Sequence, residues 1–239
     1  MSETLSQDRK SVDEPAERAP LDTGSASYQA HSLAQRQALK EVGGWIDQRG
    51  WCPATGGNFS SRFESEERAF VITRSGVHKG RLAVSDFIEV DRFGGPLCAK
   101  AANRPSAETL IHAALYRLSD EIRTVLHIHS VSSTVLSRME RRPQLSLSGW
   151  EMQKALAGER THEETVSLEI FDNRQEIDLL AGEVEARWHQ RGGLRWGLLV
   201  RGHGMYVWGR DLAEARRHLE AIEFLLACHL EHQRLQGER

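Results

Sequence analysis

In Val125-Leu126-His127-Ile128-His129-Ser130, two histidines stand at alternate positions of an otherwise apolar run. On a β-strand such positions share a face, their roots about 7 Å apart. Two imidazoles can then converge on one metal ion while Leu126 and Ile128 enter a core. Two half-buried sheet histidines would give the same pattern, so a third ligand matters. His203 lies between Gly202 and Gly204 at the end of an apolar run, where flanking glycines permit sharp turning. Catalytic zinc takes three protein ligands and keeps one position open, a demand that His127, His129 and His203 would meet. His31, His162, His189, His218 and His232 occupy polar or helical stretches and read as surface residues. His112 follows Glu108 by four residues and reads as its helical neighbour.

Three loops offer anion contacts. Gly56-Gly57-Asn58 presents backbone N–H groups, Ser75-Gly76 with Lys79 adds hydroxyl and ammonium, and Ser106 stands at a helix start. Bare N–H groups and helix N-termini favour anions. Gly57, Asn58, Ser75, Gly76, Lys79 and Ser106 together point to a small phosphorylated metabolite. Glu108, ahead of the histidine strand, and Glu151, after it, compete for acid/base work. Such a carboxylate can take a proton from carbon and return one to a leaving oxygen.

These groups need a frame. A helix from Ala30 to about Gly50 carries Leu33, Ala34, Ala38, Val42, Trp45 and Ile46 on one face. A strand after Asn58 and strands at 69–73 and 87–90 follow, then a helix opened by Pro105-Ser106-Ala107-Glu108. Short helices begin at Val131 and Trp150, a strand covers 166–171, a helix 177–188, and two short strands flank Arg201-Gly202-His203-Gly204. The last helix starts with a capping box of Asp211 and Glu214 and continues the stripe Leu212, Ala215, Leu219, Ile222, Leu226 and Leu230. This interleaving implies one domain, residues 29–235, with a mixed or largely antiparallel sheet.

Residues 1–28 are charge-dense and read as a disordered tail. A net charge of −3 gives no reason for a nucleic-acid partner, and no apolar run nears the roughly 20 residues of a membrane helix. Cys52, Cys98 and Cys228 are odd in number and widely spaced, which fits a reducing cytoplasm.

Six segments carry a family resemblance: Thr55-Gly56-Gly57-Asn58-Phe59-Ser60, Ser75-Gly76-Val77-His78-Lys79, Pro105-Ser106-Ala107-Glu108-Thr109, His127-Ile128-His129-Ser130, Trp150-Glu151-Met152 and the run from Arg201 to Gly209, ending Tyr206-Val207-Trp208-Gly209. Together the chain resembles the class II aldolase family from about residue 30 to residue 230. The resemblance implies a three-layer α/β/α fold whose central, mostly antiparallel sheet is covered by helices on both faces. It implies one zinc ion per subunit on His127, His129 and His203, and a homotetramer with the site near a subunit boundary. The reaction it implies is dehydration of 5-methylthioribulose 1-phosphate to 2,3-diketo-5-methylthiopentyl 1-phosphate in methionine salvage, with Glu151 matching the dehydratase acid/base. Glu108 matches the catalytic glutamate of the sugar-phosphate aldolases, so retro-aldol cleavage or 4-epimerisation of a fuculose- or ribulose-type phosphate is the alternative. Those aldolases use a tyrosine from the chain's end, and none follows Leu230 here, which leans toward dehydration. A non-catalytic head of the adducin type is the remaining possibility, countered by the intact ligand positions.

Overall fold

The computed structural model of the chain describes residues 25–63, 69–98 and 104–237, so the expected tail falls mostly outside them. Its last four residues belong to structure. Ser25 caps α1 (Ala26–Gln48) by accepting the N–H of Tyr28 at 3.2 Å. Tyr28 is buried against Phe63, ring centroids 4.8 Å apart. On α1, Val42 and Ile46 face inward as expected, while nearer its start Ser32 and Leu39 are buried and Leu33 is exposed. Ser32 is drawn in because its hydroxyl and Arg36 meet Glu89 at 2.6 and 2.7 Å.

The chain continues through β1 (Asn58–Arg62), β2 (Ala69–Thr73), β3 (Phe87–Asp91), α2 (Thr109–Leu118), β4 (Thr124–Ile128), α3 (Val131–Met139) and β5 (Gln144–Leu147). It ends with β6 (Val166–Phe171), α4 (Ile177–Arg191), β7 (Gly197–Val200), β8 (Gly204–Gly209) and α5 (Leu212–Gly237). The segment after Trp150 forms a 3₁₀ turn, Glu151–Ala155. The eight strands make one sheet in the order β3-β2-β1-β4-β8-β7-β6-β5. Neighbours are antiparallel except β6 and β7, which the α4 crossover makes parallel. β5 is absent from the expected elements. Its alternation of Leu145 and Leu147, both buried, is the signal, but four residues after Pro143 carry little pattern.

Helices cover both faces. Leu126 and Ile128 of β4 pack with Leu39 and Ile46 of α1 and Leu219 and Leu226 of α5. Val125 faces the other way, toward Ile111 and Leu115 of α2 and Val184 of α4. All five residues of β4 are buried, as a central strand covered on both sides requires. His218, expected at the surface, is also buried: its Nδ1–H donates to the Trp208 carbonyl at 2.8 Å and its Nε2 accepts the Ala157 N–H at 3.1 Å.

Register then places the site. Asn58 of β1 and Tyr206 of β8 are the direct cross-strand partners of His127, so three polar side chains form a row on the α2 face. Backbones approach closely where β4 ends. A Cβ on Gly204 would strike the Ile128 carbonyl oxygen and come within 3.2 Å of His129 Cα. Gly204→Ala should therefore lower unfolding free energy by about 1–3 kcal/mol in urea titration. Gly182→Ala on α4, where a Cβ meets nothing within 4 Å, should instead gain about 0.4–1 kcal/mol.

Candidate active site

β4 delivers His127 on its α2 face and stops one residue before His129, which stands in the bend leading to α3. His203 stands in the turn between β7 and β8, its backbone N–H bonded to the Val200 carbonyl at 3.0 Å. The Nε2 atoms of His127 and His129 are 2.8 Å apart, and those of His129 and His203 3.0 Å. Glu108 caps α2 and brings Oε1 to 3.0 Å from His203 Nε2 and 3.5 Å from His127 Nε2. One ligand atom from each of these four residues lies within 4.8 Å of the others.

The donor set fits a divalent metal. Facing ring nitrogens repel as lone pairs and need a positive charge between them. His127 Nδ1 lies 2.9 Å from the Met205 carbonyl and His203 Nδ1 3.3 Å from Asn173 Oδ1. Those outer contacts take the ring N–H and leave Nε2 free to ligate. Burial, and next the charges of His127 and His203, push His129 down to about 3, into the neutral form that binds metal. Burial alone would raise the Glu108 carboxyl. Until a metal takes the place of those ring protons, the His127 charge and hydrogen bonds from His127 and His203 outweigh it and hold the group ionised, well below the usual carboxylate range.

The surrounding shell is specific. A Cβ on Gly56 would sit 2.9 Å from His129 Nδ1, so this ring needs glycine beside it. Tyr206 stacks on His127, centroids 3.9 Å apart at 11°, and its buried hydroxyl meets no hydrogen-bond partner among the described residues. Helix α3 ties the ligand segments together. Its cap Ser130 directly follows His129, Thr134 Oγ1 donates to the His203 carbonyl at 2.9 Å, and Ser137 Oγ accepts the Gly202 N–H at 3.0 Å. Glu223 of α5 anchors the start of α3, accepting from Ser132 Oγ and, at 2.7 Å, from Ser130 Oγ.

The other expected contacts divide. Gly57, at φ +78, abuts the His127 carbonyl, and Ser106 Oγ lies 3.5 Å from Glu108 Oε2. Ser75 and Gly76 form an exposed turn whose Ser75 N–H meets the Arg104 carbonyl. The side chains at two expected phosphate contacts have partners within the chain. Lys79 is 1% exposed and donates to the Thr55 and Val77 carbonyls, each at 2.8 Å, so its ammonium fastens loops. Asn58 is buried with its side-chain amide shared between Glu108 and His112. Glu108, expected beside the substrate, lies in the metal cluster itself. Glu151 lies outside the cluster, exposed and paired with Lys154 at 2.8 Å and His162 at 3.4 Å. Sequence reasoning gave His112 and Tyr206 no part here. The pairings that recruit them cross strands and depend on register.

Known proteins are similar along most of the chain. The family described as Class II Aldolase and Adducin N-terminal domain matches residues 37–230. A methylthioribulose-1-phosphate dehydratase of Serratia proteamaculans (strain 568) is 47% identical over 204 residues, spanning 85% of this chain and 98% of the relative. One of Yersinia enterocolitica is 49% identical over 203 residues, spanning 85% and 94%. Among solved structures, the L-fuculose-1-phosphate aldolase of Thermus thermophilus superposes with a TM-score of 0.66 at 26% identity, covering 86% of this chain and 98% of that one.

The cluster predicts about one divalent metal ion bound per chain. His129→Ala and His203→Ala should each weaken binding by orders of magnitude in chelator competition, while His189→Ala leaves it unchanged. Burial pushes the Glu223 carboxyl up, against donation from Ser132 and Ser130. Its contribution to stability is therefore fully present below the ordinary carboxyl pKa and is lost as pH rises through the raised value. Glu223→Gln, neutral throughout, should gain on the wild-type urea midpoint as pH goes from about 4 to about 8.

Proposed function

The chain belongs to the class II aldolase family, and we infer that within it the protein dehydrates 5-methylthioribulose 1-phosphate to 2,3-diketo-5-methylthiopentyl 1-phosphate, a hydro-lyase step of methionine salvage. The observation that carries this reading is identity near one half along almost the whole length of the curated dehydratases.

We assign one zinc ion to His127, His129 and His203, with Glu108 as the carboxylate beside them. Three imidazoles and a carboxylate suit zinc. When bound, zinc supplies Lewis-acid polarisation of the ketose carbonyl. The phosphate is assigned to the Gly57 amide, Ser75, Gly76 and Ser106. Their loops are held together by Lys79 and by the pairing of Arg74 with Pro105, which supports a common rim.

Proton transfer is assigned to Glu151. It takes the proton from carbon 3, made acidic by the neighbouring carbonyl, and the carbon 4 hydroxyl leaves with a proton as water. The enol across carbons 3 and 4 then loses its hydroxyl proton and gains one at carbon 4, completing the diketone. Glu151 is exposed in its own chain, so we place it at the cluster of a neighbouring subunit in a homotetramer. Exposed Val131 and Met139 on α3, Met152 on the 3₁₀ turn and Phe224 on α5 offer apolar surface for that assembly. We place the enzyme in the cytoplasm, where its three free cysteines stay reduced. No helix among the described residues is long and apolar enough to cross a membrane.

Mass spectrometry of the product from methylthioribulose 1-phosphate should show the loss of one water, with no cleavage of fuculose 1-phosphate under the same conditions. The reverse outcome would establish the aldolase alternative, which the position of Glu108 inside the cluster favours. Glu151→Gln should lower turnover about 10²–10⁴-fold with bound zinc unchanged. Wild-type turnover in that variant would move the proton transfer to Glu108.

A further inference from the structure

Glu108, His112 and Tyr116 stand four residues apart along α2, and Asn58 and Ser60 stand two apart on β1. Four helical residues advance about 6 Å and two strand residues about 6.7 Å. The two rows are thus nearly commensurate, and their polar groups interdigitate. Tyr116 Oη lies 2.7 Å from Ser60 Oγ, and Ser60 Oγ lies 2.6 Å from His112 Nδ1. His112 Nε2 meets Asn58 Oδ1, and Asn58 Nδ2 meets Glu108 Oε2. Asn58, Ser60, His112 and Tyr116 are all buried.

The carboxylate fixes the direction of every link. Asn58 donates from Nδ2 to Glu108 Oε2 and turns Oδ1 toward the ring. His112 must then carry its hydrogen on Nε2. Nδ1 is left as a lone pair, Ser60 donates to it, and the Tyr116 hydroxyl donates to Ser60. No group in the chain is left facing its own kind. Burial, and next the charge of His127, push the His112 imidazole down to about 3, consistent with a ring that carries one N–H. Both ring nitrogens are engaged, which leaves this histidine no lone pair for a metal.

We propose that His112 is a positioning residue: as the Nε2–H tautomer it orients the Asn58 amide, and through it fixes the Glu108 carboxylate against the histidine cluster. The inference rests on reading that cluster as the zinc and dehydration site. None of the hydrogen bonds of His112 reaches the cluster directly, so its influence passes through Asn58.

Two variants and one spectrum test it. His112→Gln keeps an amide N–H near the position of Nε2, whereas His112→Phe keeps ring volume without a donor. His112→Phe should lower kcat and zinc affinity by about 10–100-fold, the usual effect of losing an outer-shell partner, with KM little changed. His112→Gln should recover most of both. The ¹⁵N spectrum of the zinc-loaded wild-type protein should show His112 protonated at Nε2 and bare at Nδ1. An Nδ1–H ring would overturn the proposal. So would a folded His112→Gln variant as impaired in zinc affinity as His112→Phe. The spectrum needs no variant, so it decides even where His112→Phe does not fold. Failure of the dehydratase reading looks different: wild-type protein without turnover of methylthioribulose 1-phosphate, while the ring state and the zinc affinities still decide the role of His112.

Discussion

The site depends on one pairing, the register of β4 between β1 and β8. Side chains on a strand alternate, and a slip by one residue sends each to the opposite face. In the observed register His127 stands beside Asn58 and Tyr206, under α2. Shifted by one, its imidazole would enter the apolar layer of α1 and α5, where Leu126 and Ile128 now sit. The candidate metal ligands are therefore positioned by the same alternation that sorts the core into its two halves. Hydrophobic sorting on either side of β4 fixes the polar chemistry between them.

That chemistry is buried, and burial sets its terms. A polar group taken from water costs free energy unless it is partnered, and a charge costs far more. The carboxylate of Glu108 is met by two imidazoles, the Asn58 amide and the Ser106 hydroxyl. Asn58 is met in turn by His112, and His112 by Ser60. Each partner needs its own partner, so the polar patch spreads from the cluster along α2 to Tyr116. A sheet face that would otherwise hold leucine and valine holds this network, and Ile111, Leu115 and Val125 close around it.

What could be read from the residues was whatever is encoded locally. The alternate histidines at the end of β4 and just past it, the glycine-flanked His203 and the strand from Val166 to Phe171 carry their signals in a few adjacent positions. Groups whose roles depend on distant partners carry no such local signal. Tyr28 looked like tail because its partner is Phe63. His218 looked exposed because the groups it satisfies belong to Trp208 and Ala157. Lys79 looked like an anion contact because nothing nearby shows that the Thr55 carbonyl will lie over it. His112 shared a helix face with Glu108 as expected, but the asparagine linking them arrives from 54 residues away.

The margins of the sheet bear on how copies of this chain can meet. β3 lies at one end of the order and β5 at the other. Along β3, the Leu97 N–H bonds to the Glu89 carbonyl and the Asp91 N–H to the Gly95 carbonyl, with Pro96 bridged to Val90. Those backbone groups are spoken for, and the proline has no hydrogen to offer a newcomer. At the far side, β5 is only four residues long and follows Pro143, too brief a template for strand addition. Extending the sheet finds little free template at either border among the described residues, so any pairing of copies would go through the helical coats and leave the ladder and its histidine cluster undisturbed.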